Sequence, residues 1–306
     1  MKMKSYFFIL LAGSQTLAAK YNVVSKQVGS IQIPFVQNAE VEEKTYRLKA
    51  SYADIEMLAP LSAFSMREIE PKDIRNLTME EFNQLYARMG AGPMPYGDYS
   101  GYIMQKPPVY SAIKKRLLKQ FMLADEFAKI AKLVCGREGD DCLLEFIWKG
   151  KRFGAKNSSD QIMAQTLVNT VSAGFKFPVF ADIFKTKTVD KALNFAEGLI
   201  DKASLTFFPM NTYCGISQVD TRRESIITDA SFGDDFGLPY YIGLRDEVVT
   251  RKGLNITEEY RMLRPGLYLG KVFTNKLFLF NVVLEKTGTN ISQETKGECV
   301  DTVKAL

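Results

Sequence analysis

The sequence predicts an α+β fold in which a strongly curved antiparallel sheet or barrel carries helical insertions. Two patterns indicate the sheet. Residues 266–285 form two apolar runs on either side of a short polar turn, as in a β-hairpin. The pattern glycine-x-tyrosine-x-glycine occurs at 97–101 and again at 266–270, and glycines at such positions relieve crowding in curved strands. Apolar residues spaced three and four apart over 109–134 predict a long helix between these segments.

The N-terminus has the pattern of a cleavable secretory signal peptide. Lys2 and Lys4 precede an apolar run from Tyr6 to Leu11, and small residues follow at Ala18-Ala19. The apolar run is far shorter than the ~20 residues that cross a bilayer. We therefore expect residues 1–19 to be removed, leaving a periplasmic or secreted protein that is soluble or in peripheral contact with a membrane, without a membrane span.

The composition excludes several classes of function. The chain has no histidine, which rules out Ser-His-Asp and Cys-His catalysis and histidine-based zinc sites. The formal net charge is +5, and it falls to +3 when Lys2 and Lys4 are removed. This charge is too small to indicate a nucleic-acid partner. We therefore predict no nucleic-acid binding, no cofactor and no metal.

The cysteine count fits export. The chain has four cysteines, and an even number favours disulfides in an oxidising compartment. Cys135 and Cys142 enclose a polar turn that can close a small loop, so we favour that pair first. Cys214 and Cys299 then remain as the second pair, although four cysteines allow three connectivities.

The segments before the long helix predict extended structure followed by a helix and a strand. Residues 20–58 are expected to be extended. Thr78 and Glu81 have the spacing of a capping box, which predicts a helix that ends near Gly90. Residues 97–104 predict a strand.

The second half predicts further strands around one more helix. Trp148–Phe153 is interpreted as a basic hairpin and Asp160–Val171 as a helix. Leu205–Gln218 and Ser225–Ala230 predict strands, ahead of the final hairpin at 266–285. That hairpin is apolar at almost every position, which is typical of strands buried on both faces or lining an apolar cavity.

These elements predict one domain, with the signal peptide before it and a polar tail after it. Residues 20–288 form a single α+β domain with a helical insertion at about 107–134, and 289–306 form a polar C-terminal tail.

The two glycine-x-tyrosine-x-glycine segments and the final hairpin resemble lipocalin-like (calycin-type) β-barrel proteins. They are also similar to uncharacterised exported bacterial proteins with a C-terminal Gly-Leu-Tyr-Leu-Gly strand. The resemblance covers mainly residues 240–285, with echoes at 97–104 and 148–153. The long helical insertions and the lack of an N-terminal glycine-x-tryptophan strand depart from lipocalins. The resemblance implies a barrel that binds an apolar small molecule.

The leading hypothesis is an exported protein that binds a lipid-like or other apolar small ligand in a cavity lined by the sheet, with its oligomeric state left open. Aromatic side chains of the predicted strands would line the pocket, and a cation near its mouth would contact a polar head group, because guanidinium binds carboxylate or phosphate through two hydrogen bonds. The candidate ligand-binding residues are Tyr99, Tyr268, Phe278, Phe280, Trp148 and Arg245.

Two alternatives remain open. Ser111 and Lys114 form an S-x-x-K pattern, and Lys286 begins a K-T-G pattern, which together resemble serine acyl-transferases and hydrolases of the penicillin-binding type. In that mechanism the lysine deprotonates the serine without histidine. The S-x-N, S-D-N or Y-x-N motif of these enzymes is not present between them. The third hypothesis is an exported protein with a structural or partner-binding role.

Overall fold

The computed structural model describes residues 21–37, 41–42, 47–48, 50–104, 148–156, 162–169, 204–231, 249–288 and 299. The predicted signal peptide, the helix predicted over 109–134 and the polar tail, apart from Cys299, lie outside the described residues.

Short elements make up the N-terminal part of the described chain. Two antiparallel pairs are β1 (Asn22–Val28) with β2 (Ile31–Gln37), and β3 (Val41–Glu42) with β4 (Arg47–Leu48). The helices are α1 (Tyr52–Leu58), α2 (Ala63–Arg67), α3 (Pro71–Ile74) and α4 (Met79–Ala87).

Capping residues set the start of these helices. At α4, Thr78 Oγ1 accepts from the amide of Glu81 and the Glu81 carboxylate accepts from the amide of Thr78, so the predicted capping box is confirmed. Ser51 and Asp54 form the same arrangement at α1. The prediction of extended structure up to residue 58 is therefore wrong over α1, because a capping box begins a helix there.

Eight antiparallel strands close a barrel in simple chain order, and the last strand pairs with the first. They are β5 (Gly97–Ile103), β6 (Trp148–Lys156), β7 (Ile162–Asn169), β8 (Ser204–Ile216), β9 (Glu224–Asp229), β10 (Ile256–Arg264), β11 (Leu267–Thr274) and β12 (Leu277–Lys286). The described chain is thus mostly β, and its barrel is compatible with a lipocalin-like architecture.

Two local predictions are corrected. Trp148–Phe153 belongs to one strand, β6, not to a hairpin, and most of Asp160–Val171 is strand β7, not a helix. A short apolar run has no periodicity that separates strand from helix. Pairing decides the outcome, because β7 forms ladders with both β6 and β8.

The barrel has two unlike ends. The short-connection end carries the links 157–161, 217–223 and 265–266, together with the start of β5. The long-connection end carries the links 104–147, 170–203 and 230–255, together with the turn Asn275-Lys276.

The hairpin β11–β12 is buried on both faces, as its sequence predicts. On the outer face, Leu269 and Val283 belong to one buried cluster with Phe82 and Leu85 of α4. On the inner face, other residues of both strands belong to the cluster that fills the barrel. Gln84 fixes the cover in place, because its side-chain amide accepts from the Val36 amide and donates to the Val36 carbonyl, both at 2.8 Å.

A β-bulge changes which residues of β12 face inward. Val272 pairs with Phe280, but Phe273 pairs with Phe278, so Leu279 is the extra residue. Phe278 therefore turns to the outer face, where its ring lies 6.0 Å from that of Phe273. The prediction that Phe278 lines the same cavity as Phe280 is wrong, because strict alternation fails at the bulge.

Glycine in the repeated tyrosine pattern makes room for neighbouring rings. A Cβ on Gly270 would lie 2.5 Å from the Tyr260 ring and 2.7 Å from Val282. A Cβ on Gly101 would meet the Trp148 ring. Each glycine thus lets an aromatic side chain of a nearby strand lie flat against the inner wall.

We expect Gly270→Ala to destabilise the protein by about 1–3 kcal/mol, because the added methyl group overpacks the site. The measurement is the free energy of unfolding by urea. In a Tyr260→Leu background the same substitution should cost less, since the Tyr260 ring is gone and only the close contact with Val282 remains. Equal effects of Gly270→Ala in both backgrounds would contradict this account.

Candidate functional site

An aromatic cluster fills the barrel interior near the short-connection end. The Tyr99 ring makes edge-to-face contacts with Phe153 at 5.6 Å and with Tyr268 at 5.7 Å, and Phe153 contacts Tyr260 at 6.4 Å. All four side chains are fully buried. Such pairs stabilise beyond their buried area, so this half of the interior is a packed core.

The chain also covers this end of the barrel. The segment between α4 and β5 crosses it, with Met94 in the interior cluster and the Pro93 carbonyl accepting from Tyr268 Oη at 2.8 Å. Cys299 joins the same cluster and forms a disulfide with Cys214 of β8. The second predicted cysteine pair is therefore present, and Cys135 and Cys142 lie outside the described residues.

A buried ion pair crosses the middle of the barrel. Lys151 on β6 lies 2.9 Å from Glu258 on β10, and the side chains are only 1% and 7% exposed. β6 and β10 are four strands apart in either direction around the barrel, so the pair connects opposite walls. A buried ion pair is tolerated when further hydrogen bonds satisfy both partners.

Both partners of the ion pair make further contacts with described residues. The Lys151 ammonium also donates to Thr166 Oγ1 at 3.0 Å and contacts the Met210 sulfur at 3.1 Å. Glu258 Oε2 accepts from Thr228 at 2.8 Å and from Tyr260 at 2.6 Å. Burial, and next the Glu258 charge, raise the pKa of Tyr260 well above its ordinary value, so the phenol remains a donor.

The hydroxyl of Thr212 lies near this pair and makes no hydrogen bond to the described chain. Thr212 lies directly opposite Thr228 in the β8–β9 ladder and shares the inward face with Met210. The residue is 3% exposed, and its Oγ1 makes no hydrogen bond to the described chain. An unpaired buried hydroxyl is unfavourable, which marks this position as a polar group available to a bound molecule.

The interior near the long-connection end is apolar and only partly buried. Four partly exposed apolar side chains from the parts of the strands nearer this end pack against the interior cluster: Ile103, Trp148, Phe208 and Ile256. Val272 pairs with Glu258 in the β10–β11 ladder, Phe280 pairs with Val272, and both belong to the same cluster. We call this apolar end of the interior the cup and the Lys151–Glu258 pair its floor.

The predicted site residues separate into three groups. Tyr99, Tyr268 and Phe280 lie in the interior cluster, and Trp148 packs at its long-connection edge. Phe278 lies outside the barrel wall. Arg245 lies outside the described residues, so its proposed role at the cavity mouth stays a prediction.

The sequence analysis does not predict the ion pair between Lys151 and Glu258. Lys151 lies among other basic residues of β6, and Glu258 stands beside Glu259, which points to the opposite face. Nothing local marks which of these charges turns inward. Only the closure of the barrel brings the two strands to opposite sides of one interior.

A second buried group of charges lies on the outer wall beneath α4. The Lys271 ammonium donates to Asn83 and to Asn281, and three aromatic rings surround it within 5.7 Å. Glu259 accepts from Tyr86 at 3.0 Å, and Arg261 donates to Ser225 at 3.1 Å. These contacts attach the helical cover to the barrel.

The residues of the acyl-transferase pattern gain no support from the described chain. Ser111 and Lys114 lie outside it. Lys286 ends β12, and its amide donates to the Gly266 carbonyl. The amide and hydroxyl of Thr287 both donate to the Asp98 carbonyl at 2.9 Å, so this threonine closes the barrel seam between β12 and β5.

We expect removal of one partner of the ion pair to destabilise the fold by about 3–5 kcal/mol, because the other charge is then buried alone. Lys151→Met and Glu258→Gln test this by urea unfolding. The double variant Lys151→Met with Glu258→Gln should recover most of the loss. The control Lys72→Met removes an exposed partner of Glu70, 76% and 55% exposed, and should leave the stability nearly unchanged. Additive losses in the double variant would contradict the contact.

Because Lys271 is buried, we expect the stability of the protein to depend on pH. Burial lowers its pKa to about 7, against the opposing effect of Glu259 and with the Arg261 charge adding to the decrease. Between that pH and the ordinary lysine pKa of 10.5, the unfolded chain binds more protons than the folded one, so stability rises with pH.

The measurement is the free energy of unfolding from about pH 7 to about pH 9.5, a range set by these two pKa values. Lys271→Met should lose part of the rise seen in the parent. The control Lys276→Met, on the exposed turn between β11 and β12, should keep it. Parallel curves for the parent and Lys271→Met would overturn the assignment.

Comparisons with known proteins find no match for this chain. No protein-family model matches it, and searches of curated proteins and of solved structures find no significant match. Within the described ranges, no helix is long and apolar enough to cross a membrane. The same residues contain no cluster of three or more metal-binding side chains. The barrel and its interior are therefore the features on which a function can be argued.

Proposed function

We propose that this protein is exported and binds an apolar small molecule inside the barrel, with entry at the long-connection end. The observation that carries the proposal is the asymmetry of the interior. One end is packed with aromatic rings and crossed by the 90–96 segment, with Ile162 and Met262 partly exposed there, while four partly exposed apolar side chains lie toward the other end. Ligand sites in closed barrels lie at such mouths.

In the proposed site, the ion pair limits how far a ligand can enter the barrel. Lys151 and Glu258 join opposite walls, so a ligand entering from the long-connection end meets them before it reaches the aromatic core. Above them, Val272, Phe280 and Trp148 offer apolar surface. Burial of ligand surface there is favourable by about 25 cal/mol per Å².

Export is supported by sequence and by covalent structure together. Residues 1–19 have the order of charge, apolar core and small residues that signal peptidase recognises. The Cys214–Cys299 disulfide is a type of bond that persists in oxidising compartments, which supports the proposal. In the proposed location the barrel meets ligands in the periplasm or outside the cell.

The test uses the only tryptophan of the chain as a reporter. Trp148 lies at the proposed mouth, so a ligand that enters should change its emission. We expect Nile red to bind saturably, with rising dye emission and falling Trp148 emission. Native mass spectrometry of protein purified from its own host should also show an apolar molecule that is released on denaturation.

A matched pair of variants locates the site. Ile256→Glu places a carboxylate at the mouth and should weaken Nile red binding at least about ten-fold, or ~1.4 kcal/mol. Leu277→Glu changes a 51% exposed residue at the same end of the barrel, outside the interior cluster, and should leave binding unchanged. No saturable dye binding together with no co-purifying molecule would contradict the proposal and favour a structural or partner-binding role.

A further inference from the structure

We propose that the ligand is a neutral amphiphile, a hydrocarbon carrying one uncharged hydroxyl or carbonyl group that hydrogen-bonds to Thr212 on the cup floor. This inference rests on the proposed function and names the chemistry of its ligand. The inference is argued from the hydrogen bonds of Lys151, Glu258 and Thr212.

The only ammonium group in the described interior has no donor left for a ligand. A lysine ammonium has three hydrogens, and Lys151 directs them to Glu258 Oε1 at 2.9 Å, Thr166 Oγ1 at 3.0 Å and the Met210 sulfur at 3.1 Å. A fatty-acid carboxylate needs a free cationic donor to replace its water. The described floor does not supply one.

The charge of the floor is also balanced internally. Glu258 neutralises Lys151, and its Oε2 accepts from Thr228 and Tyr260. An anionic ligand head would lose its hydration and lie near a carboxylate, with no net positive charge to compensate. A neutral head group avoids both penalties.

Thr212 supplies a group with which a neutral head can form a hydrogen bond. Its buried Oγ1 has no partner in the described chain, and it adjoins Thr228 at the edge of the ion-pair network. A hydroxyl can donate one hydrogen bond and accept two. A ligand hydroxyl or carbonyl therefore gains a partner there, and the protein loses an unsatisfied buried group.

The experiment compares two ligands with the same hydrocarbon chain, dodecanol and dodecanoate, as competitors of bound Nile red. At about pH 8 the acid is ionised, since its ordinary carboxyl pKa is near that of glutamate, about 4.3. We expect dodecanol to displace the dye at a concentration at least about ten-fold lower than dodecanoate, a difference of ~1.4 kcal/mol.

A variant then tests the position of the head group. Thr212→Val keeps the shape of the side chain and should weaken dodecanol binding about three- to ten-fold, the value of one hydrogen bond. The ligand-free variant should be as stable as the parent or more so, because no hydrogen bond is lost. The control Tyr213→Phe removes a hydroxyl from the outer face of the same strand, 41% exposed, and should not change binding.

The outcomes separate the two proposals. If Nile red does not bind and no apolar molecule co-purifies with the protein, the proposed function fails. If dye binds but dodecanoate competes as well as dodecanol or better, the neutral-ligand inference is overturned and the function stands. If dodecanol wins but Thr212→Val binds it like the parent, the assignment of the head group to Thr212 is wrong.

Discussion

The ion pair between Lys151 and Glu258 is the contact that organises the barrel interior. It connects opposite walls, with both side chains at most 7% exposed, and it draws Thr166, Thr228 and Tyr260 into one network. Charges without water require complete pairing, so the strands that carry these residues are held in one register. The same contact divides the interior into a packed aromatic half and a half that opens toward the long connections.

Burial of the barrel wall on both faces explains the rest of the architecture. The hairpin β11–β12 needs a cover on its outer face, which the β1–β2 hairpin and α4 provide. That interface is not purely apolar, because Glu259, Arg261 and Lys271 project from the barrel into it and are fully buried. Their contacts with Tyr86 and Asn83 position α4, and the segment after α4 then crosses the short-connection end. The closed end of the barrel thus depends on polar contacts made outside it.

Sequence patterns predict the elements that depend on residues close together in the chain. The capping box at Thr78 and the doubly apolar final hairpin are both present. Strand β7 is not predicted by its own sequence, because a short apolar run has no decisive period and only the neighbouring strands determine its pairing. Alternation in β12 predicts the wrong face for Phe278, because the pattern does not reveal the bulge. The sequence does not predict the Lys151–Glu258 pair, since the two residues meet only when the barrel closes.

The central claim is that the ion pair forms the floor of a space that a ligand can enter. The most direct measurement is a crystal structure of the exported form grown with dodecanol. The account predicts electron density for the alcohol between Trp148 and the intact Lys151–Glu258 contact, with its hydroxyl beside Thr212. Side chains of the connecting segments filling that space, with no room for a ligand, would contradict it.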